Sequence, residues 1–150
     1  MGDFTRNLAS ASTVSGVNFT GAGGWAAYNA DRVVNLGGAG ATITWANANT
    51  GLNGQRLLFS APTATHTVEF QNPLNMGANG RTIQVDDGAA AVDAVIRAPI
   101  SGQSGAAFSK WGAGTLELAA VNTYAGQTWL SGGGTLLLTG NASIGTTGSN

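Results

Sequence analysis

The chain has no cysteine, a single lysine and only 13 charged residues in 150, and each scarcity removes a class of function. Without cysteine there are no disulfide staples, thiol nucleophiles or thiolate zinc sites. Six basic residues against seven acidic ones leave a net charge of −1. The clustered Lys and Arg that phosphate backbones or acidic membrane surfaces require are therefore missing, and nucleic acid is not an expected partner. No run approaches the roughly 18 unbroken apolar residues of a membrane helix, so direct membrane insertion is not expected either. The opening Met1-Gly2-Asp3-Phe4-Thr5-Arg6 lacks the basic and apolar regions of a signal peptide. The chain is accordingly read as cytosolic or as a slice of a longer protein. Leu, Ile, Val and Phe are only 31 residues, which specifies a lean core, yet the near-zero net charge supplies no self-repulsion to hold the chain open.

Strong helix formers are scarce as well. Gly, Ala, Thr and Asn supply 79 of the 150 residues, and turn residues recur at short intervals, which points to an all-β chain. Short alternating runs closed by Gly, Asn, Asp or Pro read as half-buried strands. These are Arg32 to Leu36, Ala41 to Trp45, Arg56 to Phe59, His66 to Phe70, Arg81 to Val85, Val92 to Ile96, Thr115 to Leu118, Gln127 to Leu130 and Thr135 to Leu138. The alanines of Ala89 to Arg97 are the only helix-like stretch, and its β-branched end and Pro99 favour a loop leading into a strand.

The C-terminal third contains an internal repeat. Gly112-Ala113-Gly114-Thr115-Leu116-Glu117-Leu118 returns twenty residues later as Gly132-Gly133-Gly134-Thr135-Leu136-Leu137-Leu138. A period of roughly 20 to 30 residues is that of one coil of a β-solenoid, in which equivalent side chains stack as interior ladders. The expectation is Leu116 against Leu136 and Leu118 against Leu138, with Glu117 and Leu137 facing outward. Such coils need side chains that stack on their own kind about 4.8 Å away, which Leu, Val, Thr and Asn do without charge repulsion. Gly112, Gly114, Gly126, Gly132, Gly133 and Gly134 are expected at corners, for positive φ or close approach, and Asn122 and Asn141 to tolerate the left-handed region and bond their own backbone. At about 22 residues per coil the chain makes roughly six or seven coils, a rod on the order of 30 Å long.

Lys110-Trp111-Gly112-Ala113-Gly114-Thr115-Leu116-Glu117-Leu118, continuing through Asn122-Thr123-Tyr124-Ala125-Gly126-Gln127-Thr128 to Gly133-Gly134-Thr135-Leu136, resembles the autotransporter-associated β-strand repeat of large bacterial surface and secreted proteins. Gly24 to Arg32, Gly38-Ala39-Gly40 and Arg81 to Gly88 are similar to the more divergent segments that precede such repeats. The resemblance implies an all-β, right-handed parallel β-helix, a single-domain fragment of roughly six coils. Residues 1–106 would be divergent coils and 107–140 the recognisable repeat. It also implies a structural or adhesive passenger segment without catalysis, located extracellularly or at the cell surface. Trp111 and Trp129 depart from the family pattern, where small or short polar residues are common, so both indoles are expected to be partly exposed.

Few residues suggest chemistry. His66 is the sole histidine, reads as a packed or edge side chain, and has no Gly-x-Ser-x-Gly nucleophile motif to serve. Asp86, Asp87 and Asp93, near Arg81 and Arg97, are the better enzymatic lead, for a polysaccharide lyase or glycosidase, or for holding a sugar acid or calcium ion. Asp86-Asp87-Gly88 nevertheless reads first as a turn. Gly37-Gly38-Ala39-Gly40-Ala41-Thr42 begins like a calcium-binding nonapeptide but has Thr42 in the Asp position. Asn18 and Asn141 match the glycosylation acceptor pattern, which is common by chance. Trp25, Trp111 and Trp129 are candidates for a sugar-stacking or adhesive surface. No catalytic, cofactor or metal residue is assigned. Open strand edges predict end-to-end homo-association, and a host or matrix glycan or protein is the other expected partner. The alternatives are the carbohydrate-active enzyme using Asp86, Asp87 or Asp93, and a β-sandwich carbohydrate-binding module.

Overall fold

The structure, a computed structural model, describes residues 3–7, 16–45, 52 and 56–145. Its strands are short, and no helix occurs among the described residues. In chain order they are β1 (Gly23–Trp25), β2 (Arg32–Val34), β3 (Ile43–Thr44), β4 (Leu57–Phe59), β5 (Val68–Phe70), β6 (Leu74–Asn75) and β7 (Arg81–Val85). Then follow β8 (Ala94–Ile96), β9 (Ile100–Ser101), β10 (Phe108–Trp111), β11 (Thr115–Leu118), β12 (Thr128–Leu130) and β13 (Thr135–Leu138). A first sheet has the order β1-β4-β7-β10-β12, a second β2-β5-β8-β11-β13 and a third β3-β6-β9. Through β11 the chain therefore visits the three sheets in rotation, and β12 and β13 then return to the first and second. Each sheet is rejoined only after the chain has run through at least one other, which supplies the dozen or more residues that parallel neighbours need, and every named strand pair is parallel. A β-sandwich, built of antiparallel sheets, does not have this connectivity.

Register fixes the core. On the second sheet Arg32, Val68, Ala94, Leu116 and Leu136 form one inner row and Val34, Phe70, Ile96, Leu118 and Leu138 the next. On the first, Trp25 faces Phe59 and Phe59 faces Val85, while Leu57, Ile83, Lys110 and Leu130 share a row. Because no helix covers the outer faces, burial alternates along strands such as Arg81–Val85, unlike the continuous apolar strands of helix-covered parallel sheets, although Ala94–Ile96 is buried throughout. The separation between facing residues on the second sheet falls from 36 to 26 to 22 to 20 positions toward the C-terminus. Leu116 and Leu118 face Leu136 and Leu138 as the repeat requires, with Glu117 opposite Leu137 on the outside.

Buried polar side chains knit one turn of chain to the next. Asn72 accepts from the Leu36 amide at 2.6 Å and donates to the carbonyls of Leu36 (2.8 Å) and Ala41 (3.0 Å). Asn122 accepts from Ile100 N at 2.8 Å and donates to Ala120 O and Ser143 O. This corrects one part of the expected role of asparagine, since neither Asn122 nor Asn141 has a positive φ; Asn122 does bond its own stretch of backbone, at Ala120, and adds bonds to the turns on either side through Ile100 and Ser143. The end of the stack nearest the N-terminus is covered. Phe4 pairs with Val34, and Phe4, Val17 and Phe19 pack against the core.

Candidate functional site

Two outer surfaces and one buried cluster hold the side chains that chemistry could use. On the outer face of the first sheet, register aligns Thr82, Ser109 and Trp129 in one row and Leu58, Gln84 and Trp111 in the next. Trp111 is 44% exposed and Trp129 56%. The Arg56 guanidinium sits 5.0 Å from the Trp111 ring centroid and donates to Gln84 Oε1 at 2.8 Å. Gln84 in turn donates to Asp86 Oδ1 at 2.8 Å. Strand pairing thus brings two exposed indoles onto one face, with a cation stacked on one of them and hydroxyl and amide groups between. Trp25 is not part of this strip. It points inward and packs against Phe4, Phe19, Phe59 and Phe70, with centroid separations from 5.3 to 6.0 Å, because the Gly23-Gly24-Trp25 strand places Gly24 on the outer side where Leu58 approaches.

The outer face of the second sheet is charge-compensated. Glu69 and Glu117 lie in one row with Val95 between them, so like charges are two turns apart. Arg97 donates to Glu69 Oε2 at 2.8 Å and reaches within 3.9 Å of Glu117 Oε1. Partial burial alone would raise Glu69, but its hydrogen bonds with Gln71 and Arg97 hold it below the usual carboxylate value.

The acidic cluster expected from sequence is dispersed. Asp93 is buried, with Oδ1 accepting from Gly88 N (2.8 Å) and Ser60 Oγ (3.2 Å) and Oδ2 from Thr115 N (2.8 Å). Asp86 bonds Gln84 on the first sheet's outer face, and Asp87 is exposed. Neither arginine joins them. Arg81 turns inward to the carbonyls of Trp45 and Gly80, and Arg97 serves the second sheet. His66 lies just before β5, its Nδ1 2.8 Å from Thr65 Oγ1. Thr42, Asn18 and Asn141 are exposed. Among the described residues no three His, Asp or Glu side chains converge to hold a metal ion.

Sequence reasoning missed Lys110 as a buried group. It occupies the row of Leu57, Ile83 and Leu130, is fully buried, and donates through Nζ to the carbonyls of Gly112 (2.5 Å) and Gly114. Burial pushes its ammonium below the ordinary lysine value, with Asp93 and Asp87 drawing it partly back. The spacing Lys-x-Gly-x-Gly was the available signal: glycine carbonyls two and four residues on are within reach of the same side chain.

The last turn of chain is apolar and open. Leu130 is 59% exposed and Leu138 43%, although both belong to inner rows, since among the described residues no further strand pairs with β12 or β13. No protein-family model, curated protein or solved structure gives a significant match to the chain.

Proposed function

We propose that the chain is a right-handed parallel β-helix of about six coils, serving as a structural and adhesive segment of a secreted or cell-surface bacterial protein of the autotransporter-passenger kind, without catalysis. The observation that carries this reading is the rotation of the chain through three parallel sheets with Leu116 against Leu136 and Leu118 against Leu138 at the repeat's own spacing. Right-handed winding is the rule for parallel strands joined by a crossover. Five strands on the second sheet and the Phe4–Val34 bridge beyond them support six levels. An enzymatic reading through Asp86, Asp87 or Asp93 gains nothing from the geometry, because Asp93 spends its carboxylate on Gly88, Ser60 and Thr115. The contact surface is the outer strip with Trp111 and Trp129.

Antibody against the segment is expected to label intact cells of the source bacterium, or to find the protein in the medium. Labelling only after permeabilisation contradicts the display reading. The open apolar turn favours association between copies through that end. Sedimentation should then detect dimers that grow with concentration, and a single monomeric species at every concentration sets association aside.

A further inference from the structure

The first sheet's outer strip contains an opening that the fold does not use. Beside Trp129 lies a shallow groove of about 320 Å³ lined by Gln127, Thr128 and Trp129, at the small end of the volumes that take ligands. The Trp129 indole is exposed, and the Gln127 carboxamide has no hydrogen-bond partner among the described residues. The Thr128 hydroxyl is fixed in place, 2.6 Å from Tyr124 Oη and donating to Ile144 O at 3.1 Å. None of the three side chains is charged. The strip's ions, Arg56 and Asp86, are linked to each other through Gln84.

We infer that this groove binds a neutral glycan, with one pyranose ring stacked on Trp129 and its hydroxyls bonded by Gln127. A pyranose with equatorial hydroxyls has an apolar C–H face and a polar rim, which an indole plate beside a free amide matches. The chain of sugars would run on past Ser109 toward Trp111. Ser109 faces Trp129 directly, so strand spacing and rise put Trp111 about 8 Å away on the diagonal. A charged polysaccharide finds no counter-charge in the groove. Single-stranded nucleic acid also stacks on aromatic rings but needs a basic track for its phosphates, and the strip's one arginine is already held by Gln84. The inference rests on the proposed function only in taking this face as the contact surface.

The test titrates the intact chain with hexamers of β-1,4-linked glucose, β-1,4-linked N-acetylglucosamine and β-1,3-linked glucose. Tryptophan fluorescence and the indole N–H resonances report binding, with polygalacturonate and single-stranded DNA as charged comparisons. At least one neutral hexamer is expected to shift the Trp129 resonance. Trp129→Ala should weaken that binding about tenfold or more and Gln127→Ala several-fold, whereas Tyr28→Ala, remote and exposed, changes nothing. Both tested side chains are exposed, and an unchanged melting temperature verifies that the variants fold. No shift with any neutral hexamer, undiminished binding by Trp129→Ala, or tighter binding of either charged polymer overturns the inference. Surface labelling of intact cells without glycan binding would leave the display reading standing and remove only the ligand.

Discussion

Gly134 lies directly over the ammonium of Lys110, where any side chain would collide with Nζ and with the carbonyls of Gly112 and Gly114 that hold it. The buried cation and the glycine one turn later form a single packing unit.

Gly134→Ala is therefore expected to cost about 2 kcal/mol or more, because the obstruction is partly rigid backbone. Gly21→Ala, with nothing within 4 Å of the added methyl, is the comparison and should stay within about 0.5 kcal/mol. Equal urea midpoints for the two variants would remove Gly134 from the Lys110 site.

Lys110 also sets a pH dependence. Burial holds its folded-state pKa below 10.5, so the unfolded chain binds that proton more tightly and charging Lys110 costs stability. The full cost applies below the folded pKa and fades as pH rises from there toward 10.5. The wild type should therefore gain stability relative to Lys110→Met as the pH is raised toward 10.5. Tyr124, raised above 10.0 by burial against a smaller opposing effect of its bond to Thr128, contributes stability that is lost as pH rises above that value, but equally in both proteins, so it cancels from their difference. Parallel stability–pH curves for the two proteins would contradict the buried charge.

Asp93 and Arg97 both carry charge, yet their loss should differ in cost. Asp93→Asn replaces a buried acceptor of three hydrogen bonds by a group that turns N–H toward N–H, at an expected cost of about 2 kcal/mol or more. Arg97→Ala removes a pair whose arginine side chain is half exposed, and the expected cost stays below about 1 kcal/mol. Denaturant titrations that rank the two the other way would make Asp93 peripheral.

The leucine rows predict a gradient. Leu116 is fully buried beneath Leu136, which is only partly covered. Leu116→Ala should cost about 2–4 kcal/mol and Leu136→Ala clearly less. The same order is expected of Leu118 and Leu138, and thermal melts that rank either pair in reverse would contradict the inner rows.

Much of this arrangement was legible in the amino acids. Alternation located the strands around Val68, Ile83 and Leu116, and the twenty-residue repeat set the pairing of Leu116 with Leu136. Four strands escaped it. In β1, Gly23 and Gly24 carry no side chains to alternate, β6 and β9 are two-residue strands just after Pro73 and Pro99, and in β10 a lysine stands in an inner position. The candidate site was less legible, because Trp25, Trp111 and Trp129 are alike in sequence. Only the pleat separates them, sending Trp25 inward onto Phe59 and the other two outward. Asp93 and Lys110 look like surface charges until the fold supplies the backbone groups that bury them.

The central claim is parallel stacking of successive turns, and cross-strand nuclear Overhauser contacts between residues 115–118 and 135–138 test it most directly. Parallel stacking predicts contacts at a constant separation of twenty residues, from Thr115 with Thr135 through Leu118 with Leu138. Contacts whose separation changes by two with each step along the strand, the signature of antiparallel pairing, would contradict the account.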